Sequence, residues 1–137
     1  MVIIDTSVVY KWFDKAEEDR NIAMLILKKH LLKQDEIIVP DILLYEIGNV
    51  WSTKSSFQIA NIKNNLKKLK DYSLTIIPID FKIITMAVEF AKQHTTSVYD
   101  ATYAVLATEK KCSFITSDRK FVNQTNQTYI KHLEEYK

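Results

Sequence analysis

The chain has 137 residues, 47% hydrophobic and 26% charged, which suffices for an ordinary core and is too apolar for disorder. Its net charge of +2, from 19 Lys and Arg against 17 Asp and Glu, neither requires nor forbids a nucleic-acid partner. The single glycine, Gly48, excludes the Walker A loop and the dinucleotide fingerprint, while one cysteine, Cys112, and the scattered His30, His94 and His132 exclude an internal disulfide and argue against zinc.

Val2-Ile3-Ile4 is a short β-branched run halted by Asp5-Thr6-Ser7, a buried strand running into a helix start. No basic segment followed by a long apolar one opens the chain, so no signal peptide is expected. No apolar run approaches the roughly 18 residues of a membrane span, so a soluble, cytoplasmic protein is expected, with no membrane partner. From about Ala16 to Lys33 the apolar positions Ile22, Leu25, Ile26, Leu27 and Leu32 predict a helix. Ile37-Ile38-Val39-Pro40 is a second strand, after which Asp41 is expected to cap a helix whose stripe includes Ile42, Leu43, Ile47 and Val50. Ser52 to Phe57 is the expected exposed loop, and Phe57 to Leu69 repeats at helical spacing through Ile59, Ile62, Leu66 and Leu69.

Leu74 to Ile79 is a third strand, Phe81 to Ala91 another helix, and Ser97 opens a further helix through Ala101, Ala104, Val105 and Leu106. Cys112 to Ile115 is a fourth strand running into Thr116-Ser117-Asp118, and Thr128 to Ile130 a candidate fifth. Strands that are continuous apolar runs and alternate with helices predict an α/β fold, a central parallel sheet of four to five strands with helices on both faces. No repeat, low-complexity tract or composition break divides the chain, so one domain over residues 1–137 is expected.

Ligands of such a sheet bind beyond the carboxyl ends of its strands. Asp5 and Asp118 each follow a strand and should project there. Glu46 sits inside an apolar stripe, with Ile42, Leu43 and Val50 one turn away and no Lys or Arg in reach. Asp100 lies three residues after Ser97, near a helix start. Alone, each has a plainer explanation: Asp5 and Asp118 as helix caps, Asp100 in a capping box, Glu46 at the stripe's edge. Together they would repel one another and hold raised pKa values unless a cation neutralised them, and an oxygen-only set selects a hard metal, Mg²⁺ or Mn²⁺.

Val2-Ile3-Ile4-Asp5-Thr6-Ser7, Pro40 followed by Leu44-Tyr45-Glu46-Ile47-Gly48-Asn49, Tyr99-Asp100-Ala101-Thr102-Tyr103, and Ile115-Thr116-Ser117-Asp118-Arg119-Lys120-Phe121 occur in the order of the motifs of PIN domains. The chain most resembles the VapC-type toxin ribonucleases of toxin–antitoxin pairs. The segment from about Ser52 to Thr95 carries no diagnostic residue. The resemblance implies a PIN-like three-layer sandwich, Mg²⁺ or Mn²⁺ at Asp5, Glu46, Asp100 and Asp118, endonucleolytic cleavage of RNA, a homodimer, and a small cognate antitoxin. Asp5, Glu46 and Asp100 match the most regular acids, Asp118 a more variable fourth, and Thr6, Ser7 and Thr116 polar positions beside the site.

Hydrolysis of a phosphodiester needs a nucleophile made at neutral pH and a cation at the phosphate. Asp5, Asp100 and Asp118 are the expected direct ligands, with Glu46 binding metal or orienting the attacking water. Arg119, Lys120 and Lys11 are candidate phosphate contacts, set against an ordinary place on the solvated surface. Lys63, Lys67 and Lys70 form a basic stripe that suits a wet helix face. Trp12, Phe13 and Trp51 are expected in the core or a partner groove, Asn49 beside Glu46, His94 at the surface or in packing, and Tyr99 and Tyr103 in packing around Asp100. Two rivals remain: a non-catalytic PIN-like module binding RNA or protein, and a phosphatase with Asp5 as nucleophile. The phosphatase usually carries a second carboxylate where this chain has Ser7.

Overall fold

The computed structural model describes residues 1–137. Strand β1 (Val2–Ile4) leads into α1 (Thr6–Phe13) and α2 (Arg20–Leu31), then β2 (Ile37–Pro40), α3 (Ile42–Thr53), α4 (Ile59–Asp71) and β3 (Thr75–Ile77). The second half holds α5 (Phe81–His94), α6 (Val98–Lys110), β4 (Ser113–Thr116), α7 (Arg119–Thr125), β5 (Ile130–His132) and a 3₁₀ turn at Leu133–Glu135. The strands form one sheet in the order β3-β2-β1-β4-β5. All four pairings are parallel: Ile3 lies opposite Ile38 and Phe114, Val39 opposite Ile76, and Ile115 opposite Lys131. This is the expected α/β sandwich, with the fifth strand present two residues later than predicted.

The topology follows from the residues. β1 and β2 are buried along their whole length, which a parallel sheet covered on both faces requires. From β1 the chain steps outward through β2 to β3, then returns to add β4 and β5 on the other side of β1. Right-handed crossovers therefore set α1 to α4 on one face and α5 to α7 on the other. Each face has its own aromatic packing. Phe13 meets Trp51 edge-on at 5.1 Å and Trp12 meets Tyr72 at 5.8 Å on the first face, while Phe114 stacks on Tyr103 at 5.6 Å and meets Phe121 at 5.9 Å on the second. Trp12 and Trp51 are thus core residues.

Helix α6 presses closest to the sheet, because Ala101, Ala104 and Ala107 recur at its inner face and are fully buried. Its start is fixed by Ser97, whose Oγ accepts the Asp100 N–H at 3.1 Å. No return bond closes a capping box there. One local expectation needs correction. Asp41 precedes α3 without capping it: its backbone is already helical, and its Oδ2 instead accepts the Ile79 N–H from the neighbouring strand connection at 3.4 Å. The seven-residue α7 has no apolar periodicity long enough to show in the sequence, and Asp118 starts it by accepting the Phe121 N–H at 2.9 Å. No helix is long and apolar enough to cross a membrane.

Candidate active site

The strand order reverses between β1 and β4, and that crevice at the strands' carboxyl ends is where an open parallel sheet binds its ligands. Asp5 leaves β1 and Asp118 follows β4 by two residues, so these neighbouring strands deliver two carboxylates to the same edge. Asp5 caps α1, its Oδ1 accepting the N–H groups of Ser7 at 3.1 Å and Val8 at 3.3 Å. The Ser7 hydroxyl donates to the same oxygen and the Thr116 hydroxyl to Oδ2, both at 2.5 Å. Those hydroxyls also accept: Ser7 Oγ from the Ser117 N–H at 2.9 Å, Thr116 Oγ1 from the Asp118 N–H at 3.0 Å. Side chains of Ser7 and Thr116 thereby lock the segment after β4 onto the carboxylate after β1.

Glu46 sits in the second turn of α3, half-buried. Its Oε1 accepts from the Tyr103 hydroxyl at 2.5 Å and from Thr6 Oγ1 at 3.3 Å. Tyr103, one turn after Asp100 on α6 and 1% exposed, is the residue that sequence reasoning assigned only to packing. Its ring does pack, on Phe114, but its hydroxyl also anchors Glu46 across the sheet edge. Burial foremost, and then the charge of Glu46, push the Tyr103 hydroxyl far above its ordinary pKa, so it remains a donor. Its spacing from Asp100 was the one available signal.

The four acids share one field. Burial raises the Asp5 carboxyl from 3.8 to about 6 against the hydrogen bonds from Ser7, Thr116 and Val8, and Asp100 adds repulsion. Burial also raises Glu46, again with a contribution from Asp100, and raises Asp100 itself with a contribution from Asp118. Asp100 is the centre of this repulsion, raising both Asp5 and Glu46. Even so, no three acids close on a common point as a ready-made ligand set. Asp5 and Glu46 are instead held by hydroxyls, and Asp118 is exposed. The donor chemistry fits a hard dication, since every candidate ligand is oxygen, no histidine intrudes, and desolvated like charges need a positive partner.

Two of the cations near this edge, Lys11 and Arg119, are already engaged. Lys11 is buried, its ammonium donating to Glu17 Oε2 at 3.1 Å and to the Glu18 carbonyl at 2.8 Å. Arg119 donates to Glu134 at 2.6 Å and lies 3.3 Å from His132 Nδ1, while Lys120 is exposed. In the free protein Lys11 and Arg119, the candidate phosphate contacts, each hold a carboxylate within their own neighbourhood. Asn49 is exposed and its side chain makes no hydrogen bond, His94 packs on Phe90 at 4.3 Å, Tyr99 is exposed, and Lys63, Lys67 and Lys70 lie on the wet face of α4.

The family model described as "PIN domain" matches residues 2–125, a span that includes all four acids. No curated protein sequence matches the chain significantly. Solved structures do. A toxin–antitoxin complex from Klebsiella pneumoniae aligns at TM-score 0.71 with 14% identity over 97% of this chain and 98% of that one. VapBC2 from Rickettsia felis, bound to a DNA fragment from its promoter, aligns at 0.69 with 18% identity over 96% and 98%. The VapC20 toxin of Mycobacterium tuberculosis, described as cleaving the sarcin–ricin loop, aligns at 0.65 with 12% identity over 85% and 88%. At such identities the likeness is one of fold.

Proposed function

The chain belongs to the PIN domain family, and from that premise we propose that it is a Mg²⁺- or Mn²⁺-dependent endoribonuclease, the toxin of a VapBC-type toxin–antitoxin pair. What supports this reading is electrostatic: Asp5, Glu46 and Asp100 come from three distant segments, yet Asp100 raises both of the others and is itself raised by Asp118. Asp5, Asp100 and Asp118 would hold the metal, with Glu46 as a further ligand or as the base that orients the attacking water. When bound, the ion supplies charge at the phosphate and a hydroxide at neutral pH.

The chain's own residues do the rest. Ser7 and Thr116 fix both oxygens of Asp5, so its carboxylate does not swing away when the site fills. Tyr103 and Thr6 both donate to Oε1 of Glu46, so the other oxygen, Oε2, is the one free to take a proton from water. Burial favours protonation of the metal-free acids, so cleavage should rise with pH through the range where Asp5 ionises, near 6.

Support for an RNA substrate and for a protein inhibitor comes from the neighbours in fold, one a cleaving toxin and another a toxin–antitoxin complex. A cytoplasmic homodimer bound by a small cognate antitoxin belongs to the same proposal. The test is cleavage of RNA by the purified chain in Mg²⁺ or Mn²⁺, repeated with Asp5→Asn and Asp100→Asn and in excess EDTA. Cutting that survives both substitutions, or EDTA, defeats the proposal. RNA binding with no cutting in either metal would instead favour a non-catalytic module.

A further inference from the structure

A cleft of about 360 Å³ opens beside the acids, lined by Thr6, Ser7, Tyr10, Lys11, Glu17 and Glu46, and closed by Val50 and Ser117. Lys11 follows Ser7 by one turn of α1, so its stem and the Ser7 hydroxyl share a face. The Lys11 side chain is only 9% exposed, yet its ammonium has three donors and two acceptors, Glu17 and the Glu18 carbonyl. Ser117 lines the same cleft, and its hydroxyl oxygen is closed off from solvent with no hydrogen-bond partner. A spare ammonium N–H and an orphaned hydroxyl, on two residues that line one cleft, are what an anionic oxygen satisfies once it enters.

Glu17 belongs to the turn between α1 and α2, where Asp14, Glu17, Glu18 and Asp19 stand against one cation, Lys15. The turn is held down by Lys11 to the Glu18 carbonyl, by the Tyr10 hydroxyl to Asp14 at 3.2 Å, and by Arg20 to the Trp12 carbonyl at 3.2 Å. Such a concentration of negative charge opposes any polyanion next to the site. Its one inward carboxylate occupies the one cation that lines the cleft.

Resting on the ribonuclease reading above, we infer that this cleft is the subsite for an RNA phosphate adjoining the scissile one, that Lys11 and Ser117 are its ligands, and that Glu17 caps it by taking the phosphate's place in the free protein. RNA must then displace Glu17, whose side chain is 37% exposed and free to swing outward.

Fluorescence anisotropy of a labelled single-stranded RNA about a dozen nucleotides long, titrated with the full chain in EDTA so that no strand is cut, tests this. Glu17→Gln is expected to bind about fivefold more tightly at low salt, as for loss of a competing, partly exposed ion pair. Its affinity should also fall more steeply with salt, by close to one phosphate contact. Ser117→Ala is expected to bind roughly threefold more weakly with no fall in Tm, because its hydroxyl has no partner to lose. Equal or weaker binding by folded Glu17→Gln overturns the cap. Unchanged binding by Ser117→Ala overturns the subsite, and decides the matter alone if Glu17→Gln does not fold. Metal-dependent cleavage with neither affinity altered would sink this inference and leave the nuclease standing. The expected affinity changes with no cleavage would overturn the nuclease and leave Lys11 and Ser117 as an RNA phosphate site alone, and a wild type that binds no RNA ends both.

Discussion

Replacing Asp5 by Asn should abolish cleavage and, in the metal-free protein at neutral pH, increase stability. Burial holds the Asp5 carboxyl at about 6 against an ordinary 3.8. That difference corresponds to ~3 kcal/mol that the folded state bears once Asp5 is ionised. Asparagine caps a helix as well as aspartate does and keeps an acceptor for the Ser7 and Val8 N–H groups. The two short bonds from Ser7 and Thr116 lose their ionic character, but that loss is already contained in the raised value, which they lower against burial. The net expectation is a gain of up to ~3 kcal/mol, a rise in Tm of roughly 10 °C for a domain of this size. The effect must depend on pH. Between 3.8 and about 6 the folded protein holds a proton on Asp5 that the unfolded chain has released, so wild-type stability falls as pH rises through that window. Urea unfolding in EDTA from about pH 4 to about pH 8 measures it: the variant's advantage should be full above the upper value and vanish below the lower. Excess Mg²⁺ should then raise the Tm of wild type and not of Asp5→Asn. An Asp5→Asn protein no more stable than wild type at the alkaline end, or an advantage that ignores pH, would refute the account.

Tyr103→Phe keeps the ring on Phe114 and removes the donor to Glu46, so it should cost about 1–2 kcal/mol in thermal unfolding at neutral pH and less in acid, where Glu46 is protonated. The same variant should lower kcat more than it raises KM, since Glu46 loses its orientation and the cleft keeps its lining. Ala104→Leu forces a larger side chain between α6 and the sheet where no space exists, and a loss of about 1–3 kcal/mol in urea denaturation is expected. Ser97→Ala leaves the Asp100 N–H without its 3.1 Å partner and should cost about 1 kcal/mol, read as a drop in Tm, with a fall in activity through a frayed first turn of α6.

What the sequence disclosed and what it withheld divide along the range of the interactions involved. Asp5 and Asp118 were legible because placement at a strand's end is local: an apolar run stops, and the next side chain is at the sheet's carboxyl edge. Glu46 was legible because it breaks an apolar stripe, a conflict between pattern and chemistry that only a distant partner resolves. The identity of that partner was not legible. Tyr103 lies 57 residues away and Thr6 lies 40 away, and nothing in the periodicity of α3 names either. The partner of Lys11 in the free protein was hidden for the opposite reason. The position of Lys11 on α1 beside the acids was right, but a glutamate six residues on reached it first, through a turn whose path has no apolar signature. The short α7 and the true role of Asp41 were hidden in the same way, by packing between segments that meet only after the sheet has formed. A sequence without an alignment therefore shows where charge is anomalous, and the fold supplies what each anomaly is for. Here the anomalies converge on Asp100, the acid whose own sequence context was the blandest. Its effect on Asp5 and Glu46 arises because α6, remote from both in the chain, packs over β1 and β2.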